Sequence, residues 1–400
     1  MNFHSVLLIF GGAAAALALA GTCYVLFLAL VGFFSSSPDP TAVERLRPRT
    51  RFLVLIPAHN EEEGIRPTLE SLRAQDYPED LRNVLVIADN CQDRTMAVVR
   101  EERFECWERT EPNAPGKGRG LRWALDRVDA TTFDAAIFID ADTQVCPGFL
   151  EAMDRGIQSG ATALQAQNLF DLADTSYFSL LTFASKRAEN DLYWRARERF
   201  GWMGFLLGNG FCLKREIIEA LPWAAYSIVE DVEYSVQLAL QNVRVKFLES
   251  ATVVSRATRR ASDAFPQRLR WASGTIQVMT KYVPQLLRAS IARRSLRLAE
   301  MALALVLTSR FLLLYLLLGA VAGTSVLGTG GAGSLLRYAV ITASLSLCVY
   351  MGLVLSRIPH IQGGRLRALA TLPFYVCWML LVHAGAALGL RRNAWGKTLR

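Results

Sequence analysis

The chain has 400 residues, 52% of them hydrophobic and 20% charged, with 44 Lys and Arg against 36 Asp and Glu for a net charge of +8. That length allows more than one structural unit, and the apolar excess points to a membrane protein. Seven scattered cysteines, odd in number and without C-x-x-C spacing, argue against a disulfide framework or a zinc site, and the basic excess carries no nucleic-acid signature, so no nucleic acid is expected as a partner.

No Lys, Arg, Asp or Glu occurs between Met1 and Pro38, and residues 6–34 are one apolar run. It exceeds the roughly 20 residues that cross a bilayer and lacks the basic start and short core of a cleaved signal. Residues 1–36 are therefore expected to be a retained transmembrane anchor. A Ser- and Pro-rich stretch and then Arg45, Arg47, Arg49 and Arg51 make 37–51 a basic linker. Basic residues just past a span mark the cytoplasmic side; the alternative is a merely solvated arm.

Residues 52–56 and 83–88 are short apolar runs ending in polar loops, Pro57-Ala58-His59-Asn60-Glu61 and Asp89-Asn90-Cys91-Gln92-Asp93, each followed by helical sequence. A third run, 135–139, ends in Asp140-Ala141-Asp142. Strand, polar loop and helix repeated in this way predict a mainly parallel sheet with covering helices, delivering polar groups to one edge. Residues two apart on an extended strand point the same way, so Asp140 and Asp142 can share one hard cation and hold a diphosphate through it. The competing reading is a helix N-cap for the segment after Pro147. Between these units, Pro115-Gly116-Lys117-Gly118-Arg119-Gly120 leads into a helix. Its glycines and cations suit a phosphate, but the spacing matches no P-loop or dinucleotide fingerprint and a plain loop explains it equally.

A strand near 163–167 precedes a long helix bearing Lys186, Arg187, Glu189, Arg195, Arg197 and Arg199, whose charges are read as a solvated face. Gly208-Asn209-Gly210 is either a floor for a substrate or an ordinary tight turn. Glu230 and Asp231 open a helix through residue 240, where acids are common for the macrodipole alone. From Gln267 to Glu300, basic residues interleave with Trp271 and other bulky side chains, the pattern of a helix lying in the membrane interface. Three apolar segments follow, near 299–322, 338–355 and 369–390, with an apolar loop around 328–333. The charge rule would keep Arg391, Arg392, Lys397 and Arg400 inside, so only two of the three are expected to span unless the rule fails; the last, interrupted by Pro373, is the candidate re-entrant or interfacial element.

Taken together, the chain resembles the membrane-bound family 2 glycosyltransferases, which include cellulose, hyaluronan and poly-N-acetylglucosamine synthases and ceramide glucosyltransferase. The matching pieces, in family order, are Pro57-Ala58-His59-Asn60-Glu61, Asp89 with Asp93, Gly116-Lys117, Asp140-Ala141-Asp142, Glu230-Asp231 and Gln267-Arg268-Leu269-Arg270-Trp271. Asp89-Asn90-Cys91 departs from the D-D-G or D-D-S common there, and Val229 stands where Thr is frequent. The resemblance implies a GT-A type α/β fold over 52–258, interfacial helices over 259–298, transmembrane segments over 299–390 and a basic tail at 391–400. It further implies a UDP-sugar donor. Pro57, Ala58, His59 and Glu61 would line the nucleoside pocket, Asp89 would recognise uracil, and Lys117 and Arg270 would brace the diphosphate. Asp140 and Asp142 would hold Mg²⁺ or Mn²⁺. Asp231, beside Glu230, would be the base of an inverting transfer, and Gly208, Asn209, Gly210, Gln267 and Trp271 would meet the acceptor.

The function expected from this is inverting transfer to a polysaccharide or glycolipid by a multi-pass protein of the bacterial inner membrane, its catalytic domain cytoplasmic and in contact with membrane lipids. One rival is a single-addition lipid glycosyltransferase with a ceramide- or hopanoid-type acceptor. A polymer would need a channel that so few spans build only with a second copy or an accessory subunit. The other rival is a catalytically inactive membrane scaffold.

Overall fold

A computed structural model describes residues 3–35, 47–172, 176–258, 260–307, 309–325, 331–359 and 364–390. The linker residues 36–46 with Arg45, most of the apolar loop near 328 and the basic tail 391–400 fall outside the described residues.

Eight strands form one mixed sheet. They are β1 (Phe52–Ala58), β2 (Arg82–Asp89), β3 (Glu105–Arg109), β4 (Ala135–Phe138), β5 (Thr143–Val145), β6 (Ala163–Phe170), β7 (Phe211–Lys214) and β8 (Val245–Ser255), in the order β3-β2-β1-β4-β7-β6-β8-β5. The first four are parallel, β7 is antiparallel to both neighbours, and β5 caps the far edge antiparallel to β8. All seven residues of β1 are buried, because a central strand of a parallel sheet is covered on both faces. Leu55 O accepts from Ile139 N, so Pro57, two residues on, faces the side where the β4 ladder has ended and its missing N–H leaves nothing unpaired.

The helices are α1 (Phe3–Phe34), α2 (Ile65–Arg73), α3 (Thr95–Glu101), α4 (Lys117–Leu125), α5 (Phe149–Gln158), α6 (Tyr177–Ala188), α7 (Arg195–Arg199), α8 (Arg215–Ala220), α9 (Glu230–Leu240), α10 (Ala261–Arg293), α11 (Leu296–Val306), α12 (Phe311–Ser325), α13 (Gly331–Leu355) and α14 (Gly364–Ala387). Alternation along β1 divides them. Phe52, Val54 and Ile56 pack with α2, α3 and α5, whereas Leu53 and Leu55 pack with α4, α9 and Trp223. The result is a three-layer α/β sandwich of GT-A type.

The charged stretch read as a solvated face is in part interior, although Arg199 is exposed and Lys186, Arg187 and Glu189 are half-buried. A π-helical turn, Glu189–Trp194, joins α6 to α7, and Asp191 in the turn and Arg195 and Arg197 in α7 are buried. Arg197 pairs with Glu300 of α11, which also accepts from Tyr24 of α1 at 2.5 Å, while Arg195 pairs with Glu249 at 2.9 Å. Buried guanidinium groups persist only when paired, so these contacts tie the sheet domain to the apolar helices. Arg51 likewise serves the domain edge, bonding Asp134 at 2.7 Å.

Among the described residues three helices, Ile9–Phe34, Gly333–Leu355 and Gly364–Ala387, are long and apolar enough to cross a membrane. The last is continuous through Pro373, which corrects its assignment as the re-entrant element. The broken segment is the first of the three C-terminal ones: α11 and α12 meet at 74°. The predicted interfacial stretch is one 33-residue helix, α10, packed on α9, α11 and α14.

Candidate active site

Parallel pairing of β1, β2 and β4 makes the loops after Ala58, Asp89 and Phe138 leave the sheet at one edge. β4 ends at Phe138, so Asp140 and Asp142 lie in the turn before β5 rather than on an extended strand, and strand alternation is not what orients them. Asp140 faces Lys117. Asp142 lies against Gly64 together with Glu61. The helix-cap alternative is excluded, since Gly148 is the N-cap of α5.

Lys117 is the first residue of α4, and its Nζ donates to Asp140 Oδ1 at 2.6 Å and to Gly208 O at 2.5 Å, with Glu230 Oε1 at 3.7 Å. Burial would lower the ammonium's pKa, but Asp140 and Glu230 outweigh it and hold Lys117 above the usual lysine range. Gly118 lets this happen: a Cβ there would lie 2.5 Å from Ala225 O and 3.0 Å from the Trp223 ring nitrogen, so only glycine lets α4 start against the loop that precedes α9. Trp223 is fully buried between Phe138, Phe211 and Tyr234, which makes it the floor under Lys117 and Glu230.

Glu230 and Asp231 begin α9, yet they do not behave as dipole-stabilising acids. Burial pushes the Glu230 carboxyl up to about 7, with Lys117 opposing and Asp231 adding to the shift; Asp231 is raised for the same first reason. Carboxylates that only stabilise a helix start are lowered, so the environment points to chemistry rather than capping. Gly208, at φ +78°, would place a Cβ 3.1 Å from Asp231 Oδ2, so its missing side chain keeps that carboxylate accessible.

Asn209 has a different task from the acceptor contact expected of it. It is buried, its Oδ1 accepts from Asp140 N at 3.1 Å, and its Nδ2 donates to Thr143 Oγ1 and Ser255 Oγ at 2.6 and 3.0 Å. It positions the Asp140 turn. Gly210 is also buried, against Val253. Pro57 and Ala58 are buried strand residues in register with Ile87 and Ala88, at the end of β1 where the first loop begins. His59 Nδ1 sits 2.8 Å from Asp89 O, linking the first two loops.

Asp89 is fully buried. Arg109 of β3 donates to its Oδ1 at 2.5 Å, and Asn90 Nδ2 does so at 2.8 Å. Burial raises the Asp89 pKa, opposed by Arg109. The neighbouring helix α4 starts between Asp89, near Gly120, and Glu230, near Gly118, so the acidic residues lie along one cleft.

α10 closes the other side. A Cβ on Gly274 would lie 3.1 Å from Val229, adjacent to Glu230, and Gln267 and Trp271 continue that helical face toward the N-terminus. Trp271 is partly exposed at 36%, and burial lowers the pKa of Arg270. Glu233 fixes the arrangement: buried, it accepts from Lys281 at 2.8 Å, from Tyr282 at 2.9 Å and from Ser227 N at 3.1 Å. Arg109, Trp223 and Glu233 carry no motif and are visible only through their long-range partners.

Among the described residues no three His, Cys, Asp or Glu side chains converge to cage a metal. The donor chemistry still fits Mg²⁺ or Mn²⁺. Three carboxylates, Asp140, Glu230 and Asp231, surround one ammonium, Asp142 lies two residues on from the first of them beside Gly64, and Asp140 keeps 37% side-chain exposure with Lys117 on Oδ1. Hard cations of this kind take one or two carboxylates and fill the rest of their shell with phosphate oxygens and water.

The chain is 26% identical over 248 residues to the probable glycosyltransferase YdaM of Bacillus subtilis, covering 60% of this chain and 59% of that protein. It is 27% identical over 248 residues to the beta-monoglucosyldiacylglycerol synthase of Synechocystis sp., covering 59% of this chain and 50% of that one. The match thus spans only about half to three fifths of these curated relatives. A structure of the mannosyltransferase PcManGT from Pyrobaculum calidifontis, in complex with GDP-Man and Mn²⁺, superposes with TM-score 0.57 at 21% identity, covering 91% of this chain and 98% of that one, which shows the shared fold. Residues 48–274, more than half the chain and the whole of the cleft just described, match the profile named glycosyltransferase like family 2, and the protein belongs to that family.

Proposed function

We propose that the protein transfers a sugar from a UDP-sugar to a hydroxyl of a membrane-borne lipid acceptor, inverting the configuration of the attacked carbon. The observation that carries this reading is the meeting of Lys117, Asp140, Glu230 and Asp231 in one half-buried cluster at the carboxyl edge of the sheet. Asp89, next to Arg109, is assigned to the base of the nucleotide, His59 and Glu61 to the nucleoside side, and Lys117 and Arg270 to the diphosphate. Asp140 and Asp142 would hold Mg²⁺ or Mn²⁺, which as a Lewis acid offsets the charge of the departing diphosphate. Asp231 takes the acceptor proton, and its raised pKa brings it toward the neutral range where a base is most effective. Glu230, shared with Lys117, keeps that ammonium in place. Trp271 offers the acceptor a flat apolar face, with Gln267 one turn away.

A lipid acceptor is favoured because α10, which carries Trp271, packs against both α11 and α14, elements apolar enough to enter a bilayer. The Synechocystis relative, by its name a glycolipid synthase, agrees. In this reading residues 1–36 and 299–390 sit in the bacterial inner membrane, 259–298 at its surface and 52–258 in the cytosol.

Nucleotide binding tests the metal assignment. Mn²⁺ is expected to tighten UDP binding to the native protein by at least about tenfold and to leave Asp142→Ala almost unaffected, as removal of a ligand predicts. Equal tightening in both, by isothermal titration in detergent, would remove Asp142 from the metal site. Turnover is also expected to fall as pH is lowered into the acid range, because the raised carboxyl pair takes up protons there and a protonated Asp231 accepts none. A pH profile flat from neutrality into the acid range would contradict the base assignment.

A further inference from the structure

Arg268 and Arg310 are two cations for which the donor site has no use. The Arg268 guanidinium lies 4.7 Å from the centre of the Trp271 ring. Arg310, just before α12, lies 4.6 Å from the ring of Tyr193 and 6.0 Å from that of Tyr350. Both lie near enough to Glu189 to lower its carboxyl, and Lys186 donates to it at 3.2 Å, so three cations from three separate elements bear on that carboxylate. The Nε atoms of Arg268 and of Arg310 are both buried and have no hydrogen-bond partner among the described residues. A guanidinium is always charged, and buried donors left unmade are costly, so two of them beside surplus positive charge point to an absent acceptor.

The ligand's chemistry follows from the surroundings. Planar guanidinium forks match the oxygens of a phosphate. Arg310 sits at the 74° break between α11 and α12, and residues 311–318 that follow it read Phe, Leu, Leu, Leu, Tyr, Leu, Leu, Leu. A cation at the end of such an apolar helix lies at the depth of lipid phosphates. We propose that Arg268 and Arg310, with Lys186, bind the phosphate of a lipid headgroup beside Trp271. The rest of that headgroup then lies one helical turn from Gly274 and the Val229–Glu230 junction.

Delipidated full-length protein in detergent, examined by native mass spectrometry, tests this with dioleoylphosphatidic acid against dioleoylglycerol, which shares its tails and lacks the phosphate. The phosphatidic acid is expected to bind at least about tenfold more tightly, and Arg268→Gln and Arg310→Gln are each expected to remove about tenfold of that affinity. Equal binding of the two lipids, or unchanged binding in both variants, overturns the proposal. Displacement of the lipid by an equal concentration of inorganic phosphate overturns its lipid source. If Arg310→Gln does not fold, as judged by its melting curve, the partly exposed Arg268 decides alone. UDP binding is read in the same samples: its absence, with the lipid result intact, removes the transferase reading and leaves this subsite standing.

Discussion

Asp231→Asn is expected to lower turnover by about 10²–10⁴ while nucleotide affinity stays within about twofold, since a general base contributes on that scale and touches no phosphate. The substitution keeps the size of the side chain but removes its negative charge and its ability to take a proton, and turns one acceptor oxygen into a donor amide. Lys117 remains paired with Asp140, so the diphosphate cradle is preserved. Released UDP and nucleotide binding, measured on the same preparation, separate the two effects. Turnover near the native value would move the base to Glu230, whose carboxyl is raised to about 7. A parallel loss of nucleotide binding would mean instead that the start of α9 supports the donor.

Arg109→Ala is expected to cost about 3–5 kcal/mol of stability, the range for removing one partner of a buried ion pair. Asp89 is fully buried and Arg109 is 5% exposed, so neither can recover hydration, and Asp89 would be left without its cation. For a domain of this size that amounts to roughly 10 °C of melting temperature, visible by scanning fluorimetry in detergent. Pairing the change with Asp89→Asn should restore part of the loss, because the uncompensated carboxylate is what makes the single variant costly. A shift too small to resolve would show that the pair is not what holds the second loop.

How far the sequence alone reaches can be judged strand by strand. β1, β2 and β4 are legible because each is an unbroken apolar run ending in polar residues, the pattern of strands covered on both faces. β3 is not, since Glu105, Glu108 and Arg109 interrupt it at an edge. β7 has only four residues, and β8 carries charged positions and pairs with β6 through an irregular register, so neither shows a clean period. The carboxylates of the site are legible as motifs. Their partners are not: Arg109 and Glu233 acquire meaning only from Asp89, Lys281 and Tyr282, which the fold brings to them. The charges around 187–199 mislead for a related reason. On a helix, ionic residues spaced three and four apart look solvated, and only tertiary contacts with Glu249 and Glu300 reveal Arg195 and Arg197 as interior.

A soluble fragment cut between α1 and β1 would lose part of its own interior. Leu28 is fully buried with Tyr193 and Trp194, Ala29 packs with Leu192, and Gly32 presses against the Leu192 backbone. Cutting there would bare two aromatic rings and a π-helical turn, surface that promotes clumping. The first apolar helix is therefore part of the sheet domain's own interior, and a copy deprived of it would be structurally incomplete before any question of turnover arises.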